Sequence, residues 1–170
     1  MTTKDVVFGA LGLLACCSGV LVVTARNVIH AALWLVVTLG ALAACYLLLT
    51  ADFVAWVQVL IYAGAIVVLL LFAAMLTRAP VGPGQDLDSG NRPAAALVAG
   101  GVGVTLVTLL VQAFRSAYVD LDRVAGTGAG RPIGDALFRY YVLPVEIASV
   151  LLLAALVGAI VLTRPEIGRR

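Results

Sequence analysis

Apolar residues fill five long stretches of this chain, at 6–24, 30–49, 54–76, 94–111 and 144–163, and polar residues gather between them. Each stretch holds about 18–23 residues, and at ~1.5 Å rise per residue a helix of that length crosses a ~30 Å hydrocarbon core. The apolar character runs all the way round each stretch, which fits lipid-embedded helices rather than the alternating period of a membrane β-barrel. The pattern predicts an all-α integral membrane protein with five transmembrane helices. No Lys, Arg or Asp interrupts a stretch, and the one carboxylate inside them, Glu146, stands at the start of the last. A protein that moves ions alone normally keeps ionisable side chains at membrane depth. This chain therefore reads as one component of a larger assembly.

The connections are unequal. The turn at 25–29 contains Arg26 and Asn27, and the one at 50–53 is so short that the second and third helices should be antiparallel neighbours. Residues 78–93 are rich in Gly and Pro and predict an irregular loop. The connection at 112–143 is the longest, with Gly126, Gly128 and Gly130 in its middle; loops longer than ~12–15 residues are commonly functional or held by partners. Small residues recur four apart at Ala15 and Gly19, Ala99 and Gly103, and Ala154 and Gly158, a spacing that lets helices approach closely in lipid. No internal repeat is visible, so the inverted-repeat design of many secondary transporters is not supported.

An odd number of spans puts the two termini on opposite sides. Arg26, Arg78, Arg92, Arg164, Arg169 and Arg170 share one side, and Lys4, Arg115, Arg123, Arg131 and Arg139 share the other. The first set lies mostly in short segments near span ends, where the positive-inside bias is strongest. The N-terminus is accordingly expected outside and the C-terminus in the cytoplasm.

Composition agrees with the pattern. Of 170 residues, 12% are charged, against about 25% in soluble domains, and the whole chain 1–170 reads as a single membrane domain. A net charge of +2 gives no case for nucleic acid. Cys16, Cys17 and Cys45 all fall within spans and form no pair or set suited to zinc or iron–sulfur. Lys4 and the apolar run before Cys16 loosely resemble a lipoprotein signal. The run continues to Val23, beyond the 7–15 residues of an ordinary signal core, so a retained first span is expected.

Few polar side chains lie at depth. Gln58 and Tyr62 are four apart, which in an α-helix places them on one face. A phenol near mid-membrane needs a partner or a water, since an unmade hydrogen bond costs about 1–3 kcal/mol. It either makes an interhelical bond that holds the bundle or lines a hydrated path. Gly64 weakens the α-helix locally and tolerates a π-bulge, a feature often found at functional sites. Glu146 follows Pro144 and either caps the last helix or serves as a proton site. Tyr140, Tyr141, Phe53 and Trp56 form a candidate aromatic belt at that end. His30 is the only histidine and reads as an interfacial anchor, because a membrane haem generally takes ligands from two helices.

Three stretches together resemble NADH-quinone oxidoreductase subunit J, the bacterial counterpart of mitochondrial NADH dehydrogenase subunit 6 in respiratory complex I. They are Arg26-Asn27-Val28-Ile29-His30-Ala31-Ala32-Leu33, then Val57-Gln58-Val59-Leu60-Ile61-Tyr62-Ala63-Gly64-Ala65-Ile66-Val67-Val68-Leu69, and the run from Ile133-Gly134-Asp135-Ala136-Leu137-Phe138 through Leu143-Pro144-Val145-Glu146 to Gly158-Ala159-Ile160-Val161. The resemblance covers all five spans in order. It implies a non-redox subunit of a proton-pumping NADH:quinone oxidoreductase, set in the membrane arm with subunits A, H, K and N as neighbours. It also implies a π-bulge in the third helix around Tyr62 and Gly64, whose switching between π and α forms opens or closes a water wire to carboxylates of neighbouring subunits. Gln58 and Glu146 would border that proton path. By the same resemblance the chain holds no cofactor or metal itself, and NADH, FMN, iron–sulfur clusters and quinone belong to the complex.

The chain departs from the family pattern in having Val28 where Pro is frequent, Val145 where Phe is frequent, and Gln58 where some members carry Glu. The last departure removes one proton carrier and gives Tyr62 with ordered water more weight. Two other readings stand beside this one. One is a structural scaffold of this complex or of a related ferredoxin- or hydrogenase-type complex. The other is a free-standing small transporter, disfavoured by the missing central charges.

Overall fold

The computed structural model describes residues 3–76, 92–117 and 121–164. Five helices are long and apolar enough to cross a membrane: Thr3–Thr24, Val28–Leu48, Asp52–Leu76, Pro93–Phe114 and Val142–Thr163. The chain order is α1 (Thr3–Thr24), α2 (Val28–Leu48), α3 (Asp52–Val57), a π-helical segment (Gln58–Ile66), α4 (Val67–Leu76), α5 (Arg92–Phe114), α6 (Leu121–Val124), α7 (Gly130–Arg139) and α8 (Val142–Thr163). All are helices, and the described residues contain no strand. Each span starts one to three residues before the apolar stretch that predicts it. Apolar pattern marks the hydrocarbon slab, whereas a helix continues into the interface until a cap or break ends it.

The turn between the first two spans shows such a start. The side-chain carbonyl of Asn27 accepts a hydrogen bond at 2.9 Å from the Ile29 amide, satisfying one of the orphan donors at the head of α2. Val28 takes the first helical position, where a proline also fits without loss. The departure at Val28 therefore leaves the shape of this turn intact.

The α1 and α2 helices pack side by side. Ala15 and Ser18 of α1 are buried, and a Cβ on Gly19 would sit 3.9 Å from the Thr38 methyl group. The Thr38 hydroxyl donates to the Ser18 hydroxyl at 2.9 Å, and Ser18 in turn donates to the Leu14 carbonyl at 2.7 Å. In lipid, where apolar surface gives helices no preference for one another, such a bond contributes about 0.6 kcal/mol.

The third span runs along the other side of α2, which touches α3, the π segment and α4 in turn. The remaining spans behave differently. Among the described residues α5 contacts no other element, and α8 contacts only α7. A Cβ on Gly103 or Gly158 would meet nothing within 4 Å. Only the small pair in α1 thus packs within the chain, and those in α5 and α8 face outward. The five spans form a three-span cluster with two helices standing apart from it.

The long connection is more ordered than its glycines suggest. It contains α7, whose half-buried Ile133, Ala136 and Leu137 recur at helical spacing, with the exposed Arg131, Asp135 and Arg139 on the opposite side. This helix touches both α3 and α8. The Gly/Pro-rich connection predicted at 78–93 lies outside the described residues up to 91, and Arg92 and Pro93 already belong to α5.

Candidate functional site: a π-helical segment in the third span

Nine consecutive residues, Gln58–Ile66, are π-helical, flanked by ordinary α-helix on both sides. At its end the Val67 amide donates to the Tyr62 carbonyl, five residues back instead of four. The sequence offers a local reason. Gly64 removes the side chain where the widened turn brings the backbone closest, and a Cβ there would lie 3.3 Å from the Val59 carbonyl oxygen. A side chain at 64 therefore has to push that carbonyl aside.

The π geometry decides which residues face α2. Gln58 is 8% exposed and Val67 is 0% exposed, and α2 is the one other span in contact with both segments. In an α-helix nine residues make two and a half turns, about 180° out of phase, so these two side chains would lie on opposite faces. With bonds to the fifth residue there are roughly 4.4 residues per turn, and nine residues return close to the same face. The extra winding therefore lets both ends of the third span seat on α2 at once. Loss of the π form would turn one end away by nearly half a turn.

The sequence-predicted residues do not share one environment. Tyr62 is 48% exposed although Gln58, four residues earlier, is buried. Among the described residues no hydrogen bond joins them or satisfies either side chain, while no polar atom of Gln58 is fully enclosed. The interhelical bond considered for Tyr62 is not made among the described residues. Glu146 also differs from expectation. The helix α8 begins at Val142, so Glu146 is its fifth residue and not part of the first turn, and its side chain is exposed. The capping role fails because the chain enters the helix two residues before Pro144, whose missing amide is still one that needs no partner. Nor is Glu146 brought beside the π segment, since α8 reaches the third span only through α7.

No group of three or more His, Cys, Asp or Glu side chains suited to a metal occurs among the described residues. Cys16 and Cys17 are exposed on α1 and Cys45 is buried on α2. What sequence reasoning missed lies at the other end of the third span. The Phe53 amide, at the head of α3, donates at 2.9 Å to the carbonyl of Gly128 in the long connection. Gly126, Gly128 and Gly130 were legible only as part of a long connection, with no contact assigned to any of them.

Comparison with known proteins places this geometry in a family context. A family model described as NADH-ubiquinone/plastoquinone oxidoreductase chain 6 matches residues 18–162. A protein of Methanosarcina mazei named F(420)H(2) dehydrogenase subunit J is 37% identical over 168 residues, covering 96% of this chain and 92% of that one. The NADH-quinone oxidoreductase subunit 10 of Thermus thermophilus is 42% identical over 149 residues, covering 87% and 82% of the two chains. The NAD(P)H-quinone oxidoreductase chain 6 of a Nostoc species is 40% identical over 164 residues, covering 94% and 78%.

Proposed function

This chain belongs to the NADH-ubiquinone/plastoquinone oxidoreductase chain 6 family, and from that premise we propose that it is a non-redox membrane subunit of a proton-pumping NADH:quinone oxidoreductase whose third span acts as a conformational gate. The observation that carries the reading is the π segment Gln58–Ile66. It is a local departure from α geometry, centred on Tyr62 and Gly64, that fixes which face of the span meets α2.

Physically a gate needs two packings of similar free energy and a local change that selects between them. Widened π turns meet that need, because one register change rotates everything beyond them. In the π form Val67 seats on α2 and Tyr62 is turned to the surroundings of the chain. In the α form that relation is broken, and the phenol moves relative to whatever lies beside it. A water chain past Tyr62 is made or cut by this motion, and the carboxylates it serves lie on other subunits, since this chain has none at mid-membrane. NADH, FMN, iron–sulfur and quinone chemistry belongs to other parts of the assembly.

The setting follows. The chain sits in the bacterial inner membrane with its N-terminus outside and its C-terminus in the cytoplasm, against membrane-arm subunits A, H, K and N. The unpaired lateral surfaces of α5 and α8 support contacts with such subunits or with lipid. Glu146, exposed on α8, faces those neighbours and contributes to the proton path there. The relative named F(420)H(2) dehydrogenase subunit J favours a second reading, in which a related complex with a donor other than NADH uses the same membrane subunit. Purification of the intact complex and measurement of its activity with NADH against other donors separates the two readings. Tyr62→Phe with unchanged proton coupling would instead favour a scaffold role.

A further inference from the structure

The π segment has an anchor that lies 62–70 residues further along the chain, at Gly128. The turn from α2 into α3 is tight and carries strain. Thr50 has φ of 60°, and among the described residues it is the one non-glycine at positive φ. A β-branched residue rarely takes that conformation. The turn is closed by bonds from the Ala51 amide to the Tyr46 carbonyl at 2.9 Å and from the Thr50 amide to the Leu47 carbonyl at 3.0 Å. That pair of bonds normally ends a helix on glycine.

Gly128 lies directly on this turn. A Cβ on it would overlap the Thr50 carbonyl oxygen and come within 2.8 Å of the Ala51 Cα. Both are backbone atoms, so no rotamer change relieves the overlap. The Gly128 carbonyl accepts the Phe53 amide at 2.9 Å, satisfying one of the donors that the head of a helix leaves open. Two residues on, a Cβ on Gly130 would meet only the Phe53 ring, at 3.6 Å, an ordinary contact.

We propose that Gly128 is a positioning residue for the gate: its backbone latches the strained Thr50–Ala51 turn and the Phe53 amide, holding the head of the third span fixed so that a change in the π segment cannot be dissipated there. A helix free at both ends absorbs a register change by turning either end. One pinned five residues before its π segment has to turn against the pin or beyond it. The latch rests on the gate reading for its consequence, but the contact itself can be tested without it.

The experiment uses the assembled membrane complex carrying Gly128→Ala, with Gly130→Ala as a control in the same loop. Hydrogen exchange of peptides covering residues 50–56 should rise roughly tenfold or more in Gly128→Ala and stay unchanged in Gly130→Ala. Protons pumped per electron should fall about twofold or more, as an ordinary coupling change gives, while quinone reduction is retained. A merely structural role would lower both activities together with the amount of complex. If Gly128→Ala hinders assembly, Phe53→Pro removes the donated amide without adding bulk to the loop, and exchange at 126–130 reports the loss. Unchanged exchange in either variant overturns the latch. Raised exchange with normal pumping overturns its positioning role. A Gly64→Val complex made in parallel separates the two ideas, because normal pumping there removes the gate itself, whatever the loop does.

Discussion

Substitution of Gly64 by valine bears most directly on the gate. In the π form a Cβ at 64 sits 3.3 Å from the Val59 carbonyl oxygen, so the carbonyl must move by a few tenths of an ångström and the widened turn loses part of a backbone hydrogen bond. A typical bond contributes about 0.5–1.5 kcal/mol net, and the branched Cβ of valine adds crowding against the preceding turn. A change of about 1 kcal/mol against the π form shifts the balance between two nearly equal packings by roughly fivefold. Gly64 is half-buried and outside the α1–α2 contact, so assembly should be little affected. The assay is proton pumping in inverted membrane vesicles, read beside quinone reductase activity and complex abundance on native gels. Coupled pumping should fall severalfold with abundance near normal, and Gly64→Ala should show the same change more weakly. An assembled Gly64→Val complex with normal pumping and normal reductase activity would refute the gate.

Other outcomes follow from the same geometry. Tyr62→Phe should assemble normally, since the phenol has no protein partner among the described residues, and should lower pumping if a water chain passes it; normal pumping assigns the side chain to packing. A double-mutant cycle of Ser18→Ala and Thr38→Val should show a coupling of about 0.6 kcal/mol in the stability of the complex, and additive losses would mean the 2.9 Å bond contributes nothing. Asn27→Ala should lose about 1 kcal/mol with the cap, seen as a lower thermal midpoint, while Asn27→Asp keeps the acceptor and should behave as wild type.

The unpartnered surfaces of α5 and α8 bear on how the chain folds. A helix in lipid satisfies its own backbone, so neither needs a neighbour from this chain to remain helical. Association in the bilayer then depends on close packing and a few polar contacts. Among the described residues the chain supplies both between α1 and α2, at Ser18, Gly19 and Thr38, and neither between α5 and its other spans.

The number, order and type of spans were legible in the sequence, because hydrophobic length alone decides what crosses a bilayer. The π segment was legible only through family resemblance. Its residues Gln58-Val59-Leu60-Ile61 carry no marker against α-helix, and Gly64 merely permits the widened turn. Its consequence is tertiary: that Gln58 and Val67 both seat on α2 depends on the winding between them and on where α2 runs. The start of α8 before Pro144, which removes Glu146 from the cap, also had no sequence signal, since proline is tolerated anywhere in the first turn. The latch at Gly128 lay furthest from reach. A local pattern of three alternating glycines has no means of naming a partner on a turn some 77 residues earlier, and only the folded path of the chain brings Gly128 onto Thr50.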